Sequence, residues 1–263
     1  LACKDPKIEA ACRRLSCVHP KVWENLGTDH GPLVDLLSRV REEPGVRRVF
    51  IASGIRYDLA ERSPEFIADL ATHHTGGQLS VAPEHTDPEV LAAMKKPTIN
   101  SYERFASSFC EASERAGKEQ YLIPYFVVGH PGSGFADTVE LALWLKARNM
   151  RPRQIQEFIP TPMAVATAMY VSGVDPFTEK PLQVVRELRD KRLLKALLFW
   201  WDEEKWPLAR EALGRAGRTD LIRRGAQGLV PPGKKRERKP GRRAQGAGKA
   251  GRVVSSRRGE HGR

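Results

Sequence analysis

Three cysteines near the start of the chain are the first residues whose types and spacing suggest chemistry. Cys3, Cys12 and Cys17 follow a C-x8-C-x4-C pattern, and Arg13 and Arg14 lie directly after the second cysteine. Thiolates are soft ligands for zinc and iron–sulfur centres, but this spacing matches neither common zinc pattern. Two interpretations stay open: a metal or iron–sulfur centre, and ordinary reduced cysteines.

Four polar or glycine-containing loops follow predicted strands and carry the other candidate groups. They are SGIRYD (53–58), APEHT (82–86), GHPGSG (129–134) and PTPM (160–163). Function in parallel α/β folds is located at the carboxyl ends of the strands, where such loops converge and helix N-termini point inward. We therefore expect these loops to line one common rim.

Each loop has a functional and a structural interpretation. Glu84 and His85 can bind hydroxyl groups or act as acid and base, or they can stabilise their own loop. Arg56 can clamp a carboxylate through two parallel hydrogen bonds, or form a surface ion pair. The glycines of GHPGSG can let a ligand approach free amides at a helix N-terminus, or form an ordinary strand-to-helix turn.

Hydrophobic periodicity and turn residues predict an alternation of strands and helices. Ser63-Pro64 and Asp87-Pro88 each give a cap followed by a proline, which marks the start of a helix. The first of these helices should end at Gly76-Gly77. Strands are predicted over residues 46–52, 78–82, 120–128 and 154–159, and helices from 64, over 87–94, over 101–116, from 135, over 182–201 and over 206–213.

This alternation predicts the α/β class, with right-handed βαβ units and a parallel sheet. An open sheet and part of a barrel both fit. The content of apolar residues, 40%, is enough for a sizeable core. Past Tyr170 the pattern becomes helical, so we predict a small helical subdomain over residues 171–230.

The net charge of +12 is unevenly distributed along the chain. Residues 231–263 hold twelve basic and two acidic residues, which leaves a net charge of only +2 for residues 1–230. With almost nothing to bury, this tail is predicted to be disordered. Its charge predicts nonspecific affinity for nucleic acid at best, because no aromatic residue is present in it to stack on a base.

The sequence also indicates a compartment. No stretch approaches the roughly 18 to 20 uncharged apolar residues of a membrane-spanning helix, so we expect no integral membrane protein. No secretory signal opens the chain, and four cysteines in 263 residues are too few for a disulfide scaffold. A cytoplasmic location is the expectation.

Several long motifs resemble one protein superfamily. The runs LSVAPEHTDPEVLAAMKKPTINSYERF, YLIPYFVVGHPGSGFADTVELALWL and IQEFIPTP resemble the later half of a radical S-adenosylmethionine (SAM) barrel. More narrowly, CRRLSCVHP, IASGIRYD, APEHT, GKEQYLIPYFVVGHPG and WPLAR are similar to the YgiQ family of radical SAM proteins. The resemblance covers about residues 1–230.

The resemblance implies a fold, a cofactor and a set of contacts. The fold would be the later part of a partial (β/α) barrel of radical SAM type over residues 1–170. The activity would use SAM and a [4Fe–4S] cluster to generate a 5′-deoxyadenosyl radical that abstracts hydrogen from an unknown substrate. The positions that match the cofactor-binding strand ends are Arg56 for the SAM carboxylate, Glu84 and His85 for ribose or amino-acid groups, Gly129, His130, Pro131 and Gly132 near adenine, and Ile159 and Pro160 against the base.

One departure from the family pattern bears on activity. Radical SAM proteins bind their cluster through a C-x3-C-x2-C loop, and this spacing does not occur in the chain. We therefore expect the chain, which starts at Leu1, to be the C-terminal portion of a longer protein and to be catalytically inert by itself. Cys3, Cys12 and Cys17 would then hold a second centre or lie near the first. The alternative function is an RNA-associated protein that binds through its basic tail.

Overall fold

A computed structural model describes residues 3–14 and 16–233 of the chain. Within this part, three parallel strands form one sheet in the order β1-β2-β3. The strands are β1 (Gln78–Glu84), β2 (Tyr121–Val128) and β3 (Gln156–Glu157). The α/β class with parallel strands is confirmed, whereas a three-stranded sheet does not establish the partial barrel.

Helices of very different lengths surround the sheet. None of those in the described part of the chain is long and apolar enough to cross a membrane. The α-helices are α1 (Pro6–Ala11), α2 (Gly31–Glu42), α3 (Tyr57–Ala60), α4 (Pro64–Asp69), α5 (Pro88–Ala93), α6 (Ile99–Arg115), α7 (Phe135–Ala147), α8 (Val165–Ser172), α9 (Leu188–Leu198) and α10 (Trp206–Arg215), with a π-helical turn over Leu70–His74 and 3-10 turns over Glu203–Lys205 and Thr219–Leu221.

The first strand of the sheet extends further than its proline suggests. Pro83 has no N–H to donate and was expected to end the strand, yet β1 continues to Glu84. The pairing with β2 is regular from Gln78 to Val81 and then shifts before Glu84 pairs with Phe126. Because a proline is tolerated where a bulge interrupts the ladder, the strand passes through Pro83.

The strand predicted over residues 46–52 is not present, and this prediction is wrong. The segment runs beside β1 with little pairing: the Ile51 N–H donates to the carbonyl of His74 at 2.9 Å, and Ile55 makes one parallel bridge to Val81. Phe50 is 48% exposed. A β-branched run without a buried face has nothing to fix its register, so no ladder forms.

The last strand is much shorter than the predicted range of 154–159. Only Gln156 and Glu157 pair with β2, opposite Val127 and Val128. One further hydrogen bond, from the Phe158 N–H to the Val128 carbonyl, continues the alignment. The short β3 therefore pairs only at the carboxyl end of β2.

Two hydrophobic cores flank the sheet. The first contains Leu79 and Val81 of β1 packed with residues of α3, α4 and α6. The second contains Phe126 and Val128 of β2 packed with residues of α7, α9 and α10. The predicted helical region 171–230 thus contributes α9 and α10 to a core that includes the sheet. The division at residue 170 stays a prediction. The predicted disorder concerns residues 231–263, of which 234–263 lie outside the described residues.

A fully buried histidine connects the ends of β1 and β2. The Asp87 N–H donates to His85 Nδ1 at 3.0 Å, so the hydrogen of the neutral ring is on Nε2, which faces Ser133 Oγ at 3.5 Å. Burial lowers the pKa of His85 to about 4. The APEHT and GHPGSG loops are therefore adjacent, and a neutral imidazole lies between them.

The two predicted helix caps differ in the structure, which gives a matched pair of variants. The Asp87 carboxylate accepts hydrogen bonds from the N–H groups of Glu89 and Val90, at 2.8 and 2.9 Å, whereas Ser63 makes no such bond at the start of α4. Asp87→Ala should lower the free energy of unfolding by about 1 kcal/mol. Ser63→Ala should cost less than half of that amount in the same urea titration. Equal losses would contradict the assignment of the cap.

The burial of His85 predicts a pH-dependent contribution to stability. Its pKa is about 4 when folded, against 6.5 for the ordinary group, so between these values the unfolded chain binds more protons. This contribution is present above about pH 6.5 and is lost as the pH falls towards 4, by at most about 3 kcal/mol.

His85→Asn tests this contribution, because the Asn amide oxygen can still accept the Asp87 N–H but does not titrate. The stability difference between wild type and variant should shrink by about 2 kcal/mol between pH 7 and pH 4.5. Urea unfolding at both pH values measures it. A difference that is independent of pH would show that His85 is not buried as a neutral group.

Candidate cofactor-binding site

A cleft of about 390 Å³ lies at the carboxyl ends of the three strands. It receives Glu84 from the end of β1, His130 from the loop after β2, and Ile159 from the segment after β3. Three of the candidate residues therefore meet in one place. The complete lining is Glu84, Met94, Lys96, Val127, His130, Gln156, Glu157, Phe158 and Ile159.

Glu84 has an unusual backbone conformation for a residue with a side chain. Its φ is +69°, in the left-handed region that costs a residue other than glycine about 1 to 3 kcal/mol. The conformation follows the bulge at the end of β1. Lys96 Nζ lies 3.3 Å from Glu84 Oε1 and donates to the Ala82 carbonyl at 3.1 Å, so a cation holds the carboxylate at the cleft.

His130 is a neutral acceptor beside the carboxylate. Its Nδ1 lies 2.8 Å from the Pro131 carbonyl, which can only accept, so Nδ1 carries the hydrogen and Nε2 has the lone pair. Burial lowers the pKa of His130 below its ordinary value. The edge of the ring meets Phe158, with the ring centroids 5.2 Å apart.

Two lysines of α9 contact the segment that carries Glu157 and Phe158. Lys195 Nζ lies 3.3 Å from Glu157 Oε1, so it neutralises the second carboxylate of the cleft. Lys191 is only 7% exposed, and its Nζ donates to the Phe158 carbonyl at 3.3 Å and lies 5.1 Å from the ring centroid of Tyr170. These contacts fix the backbone that carries Glu157 and Phe158.

Three amides of the GHPGSG loop are hydrogen bonded within the chain, which favours the interpretation as a strand-to-helix turn for these three groups. The Gly132 N–H donates to the Gln183 carbonyl at 2.8 Å, and the Ser133 N–H donates to the His130 carbonyl at 2.9 Å. The Gly134 N–H donates to Asp137 Oδ2 at 2.9 Å. The glycines serve the turn itself, since Gly129 and Gly132 have φ values of +72° and +92°.

Arg56 is engaged by its own loop and does not line the cleft. Its Nε and Nη2 lie 2.9 and 2.5 Å from the two carboxylate oxygens of Asp58. The fork that was expected to bind the SAM carboxylate is thus occupied by an intramolecular ion pair. His85, Gly129, Pro131 and Pro160 each adjoin a lining residue in the chain, and Gly132 lies two positions after His130, but none of these five residues lines the cleft.

The three early cysteines are not brought together as a ligand set. Cys12 Sγ accepts the Arg14 N–H at 3.5 Å, Cys3 forms an isolated bridge with Leu26, and Cys17 is exposed. Among residues 3–14 and 16–233, no three His, Cys, Asp or Glu side chains form a group that could hold a metal ion.

Sequence reasoning missed six residues of the cleft. Lys96 follows the end of α5, and Gln156, Glu157 and Phe158 lie inside the predicted strand 154–159, where alternation alone does not show which side chains face a cleft. All six lie within the motif runs that carry the family resemblance, and this membership is the signal that could have found them. The six are Met94, Lys96, Val127, Gln156, Glu157 and Phe158.

Comparisons with known proteins find one matching family model and several similar proteins. Residues 153–261 match a family described as "Domain of unknown function (DUF3362)". A UPF0313 protein of Pseudomonas aeruginosa is 50% identical over 236 residues, which cover 88% of this chain and 32% of the relative. UPF0313 proteins of Bradyrhizobium diazoefficiens and Salmonella typhimurium, the latter named YgiQ, are 49% and 46% identical over 88% of this chain and cover 35% and 33% of those relatives.

The chain thus spans about a third of the length of the curated relatives that it matches. The identity is high over most of this chain, and the resemblance to YgiQ drawn from its motifs is confirmed to that extent. Over 88% of its length, the chain is homologous to the UPF0313 proteins, YgiQ among them.

Proposed function

We propose that the cleft at the strand ends binds S-adenosylmethionine, and that the protein is an enzyme of radical SAM type with an unidentified substrate. The observation that carries the proposal is the convergence of Glu84, His130 and Ile159 from the ends of three parallel strands. These are three of the positions that match the cofactor-binding strand ends of radical SAM proteins. Ligands of parallel α/β folds bind at such strand ends.

The chemistry of the lining fits the parts of SAM. The carboxylates of Glu84 and Glu157 can accept hydrogen bonds from ribose hydroxyls or the ammonium group, and they suit a sulfonium cation. Lys96 offers an ammonium group to the carboxylate of the ligand. His130 Nε2 accepts a further hydrogen bond without adding positive charge.

The apolar part of the cleft suits the adenine ring. Ile159 is 73% exposed, and Phe158 and Val127 lie beside it in the lining. A flat heterocycle that covers Ile159 would remove this apolar surface from water, at about 25 cal/mol for each Å². The Phe158 ring packs against His130 and against Tyr170, whose ring centroid is 5.6 Å away.

In radical SAM proteins the bound cofactor supplies a 5′-deoxyadenosyl radical after reduction by an iron–sulfur cluster. The cysteines of the described residues do not fit such a cluster, so we derive no step through one. What these residues do is bind the nucleoside and amino-acid groups, orient them through the Glu84–Lys96 pair and His130, and exclude water with Phe158 and Ile159.

Binding of SAM to the 263-residue chain tests the proposal. Glu84→Gln keeps the size of the side chain but removes the charge, so the dissociation constant for SAM should rise about tenfold. Glu65→Gln is the matched control, because Glu65 is an exposed residue of α4 that does not line the cleft. The affinity of Glu65→Gln for SAM should equal that of wild type.

Isothermal titration calorimetry with SAM gives all three dissociation constants. No heat of binding with wild type at millimolar SAM would overturn the proposal. Equal affinities of wild type and Glu84→Gln would remove Glu84 from the site.

A further inference from the structure

A second cleft of about 360 Å³ shares no lining residue with the first. Its walls come from α7, from the connection between α9 and α10, and from the segment that follows the last 3-10 turn. Three tryptophans, Trp200, Trp201 and Trp206, lie in it together, and no acidic side chain contributes to its lining.

The structure fixes the orientation of two of the indole rings. Trp200 Nε1 donates to the Met150 carbonyl at 3.1 Å, and Trp206 Nε1 donates to the Trp200 carbonyl at 2.9 Å. Trp200, Trp201 and Trp206 are all only partly buried, so part of each side chain stays accessible. Partly exposed and fixed aromatic rings are suited to stack on a flat ligand, because little rotational freedom is left to lose.

Four cations surround these rings. Lys146 Nζ lies 5.6 Å and the Arg151 guanidinium carbon 5.8 Å from the ring centroid of Trp200. Arg223 and Arg224 are exposed at the edge of the cleft. Within the described residues, none of the four is ion-paired with a carboxylate. The cleft therefore has uncompensated positive charge.

Lys146 also shapes the cleft. Its ammonium group donates to the carbonyls of Gly225, Gly228 and Leu229, at 3.2, 2.6 and 3.4 Å. These bonds tie residues 225–229 to α7. Arg223 and Arg224, directly before this segment, are thereby placed next to the tryptophans.

We propose that this cleft binds single-stranded nucleic acid, with a base stacked on the tryptophans and the backbone phosphates on the arginines. Aromatic rings flanked by cations are the combination that recognises a base and its phosphates without reading sequence. An acidic peptide would use the charge but not the rings, and an apolar ligand would use the rings but not the charge.

The sequence that follows the cleft favours a nucleic-acid strand over a free nucleotide as the ligand. Pro231 is the last residue of the chain in the lining, and residues 234–263 hold twelve basic and two acidic residues and no aromatic residue. Such a segment offers charge to successive phosphates but no surface for stacking.

Tryptophan fluorescence of the full chain, titrated with a twelve-nucleotide oligouridylate, tests the proposal. The test variant is Arg223→Glu with Arg224→Glu, and the control is Arg62→Glu with Arg192→Glu, two exposed arginines outside the cleft. Both variants change the net charge equally, so long-range attraction by the basic tail is matched. The cleft variant should bind at least about tenfold more weakly than the control, with a smaller salt dependence.

Two further ligands separate the sources of binding. Inorganic polyphosphate carries the charge without bases and should not quench the fluorescence, while uridine monophosphate should bind at least about tenfold more weakly than the strand. Arg224→Glu alone, at a side chain with no hydrogen bond to the described residues, repeats the test should the double variant fail to fold.

Three results would each overturn the proposal. Equal losses in the cleft and control variants would show binding by charge alone. Quenching by polyphosphate equal to that by the oligonucleotide would show that no base stacks. Equal affinity for the mononucleotide and the strand would make the cleft a site for free nucleotides.

Discussion

The parallel pairing of β2 with both neighbouring strands determines where the candidate residues of the first cleft lie. Parallel strands direct their carboxyl ends to one edge, so Glu84, His130 and Ile159 meet although they are separated by up to 75 positions in the chain. β2 also contributes Phe126 and Val128 to the core that contains α9 and α10. Loss of this pairing would therefore disperse the cleft and expose a core at the same time.

Elements whose signals are local could be predicted from the sequence. The Asp87-Pro88 pair gives the start of α5 because the cap and its two N–H partners lie within three residues of one another. The apolar run before GHPGSG likewise predicts β2, because its signal is contained in the run itself. The segment 46–52 and the length of β3 could not be predicted, because a strand exists only where a partner offers a ladder, and propensity does not reveal the partner.

Three residues of the first cleft could be predicted from the sequence, but its remaining lining residues and its hydrogen bonds could not. Glu84, His130 and Ile159 follow from the motifs, since each comes at the end of a strand. The hydrogen bond of the Gly132 N–H could not be predicted from the motifs, because its acceptor, the Gln183 carbonyl, lies 51 positions later in the chain. Lys96 and Phe158 belong to the cleft through the bulge of β1 and the position of β3, and both depend on tertiary packing.

The two clefts show that the placement of charge is more informative than its total. The net charge of +12 belongs almost entirely to residues 231–263, and residues 1–230 carry a net charge of only +2. Within that nearly neutral part, the first cleft pairs each of its carboxylates with a lysine, so a ligand with groups of both signs finds a partner for each. The second cleft has cations alone around its tryptophans, and a zwitterion would leave most of them without a partner. Because opposite charges must be matched when water is excluded, the two proposed sites would select different classes of ligand.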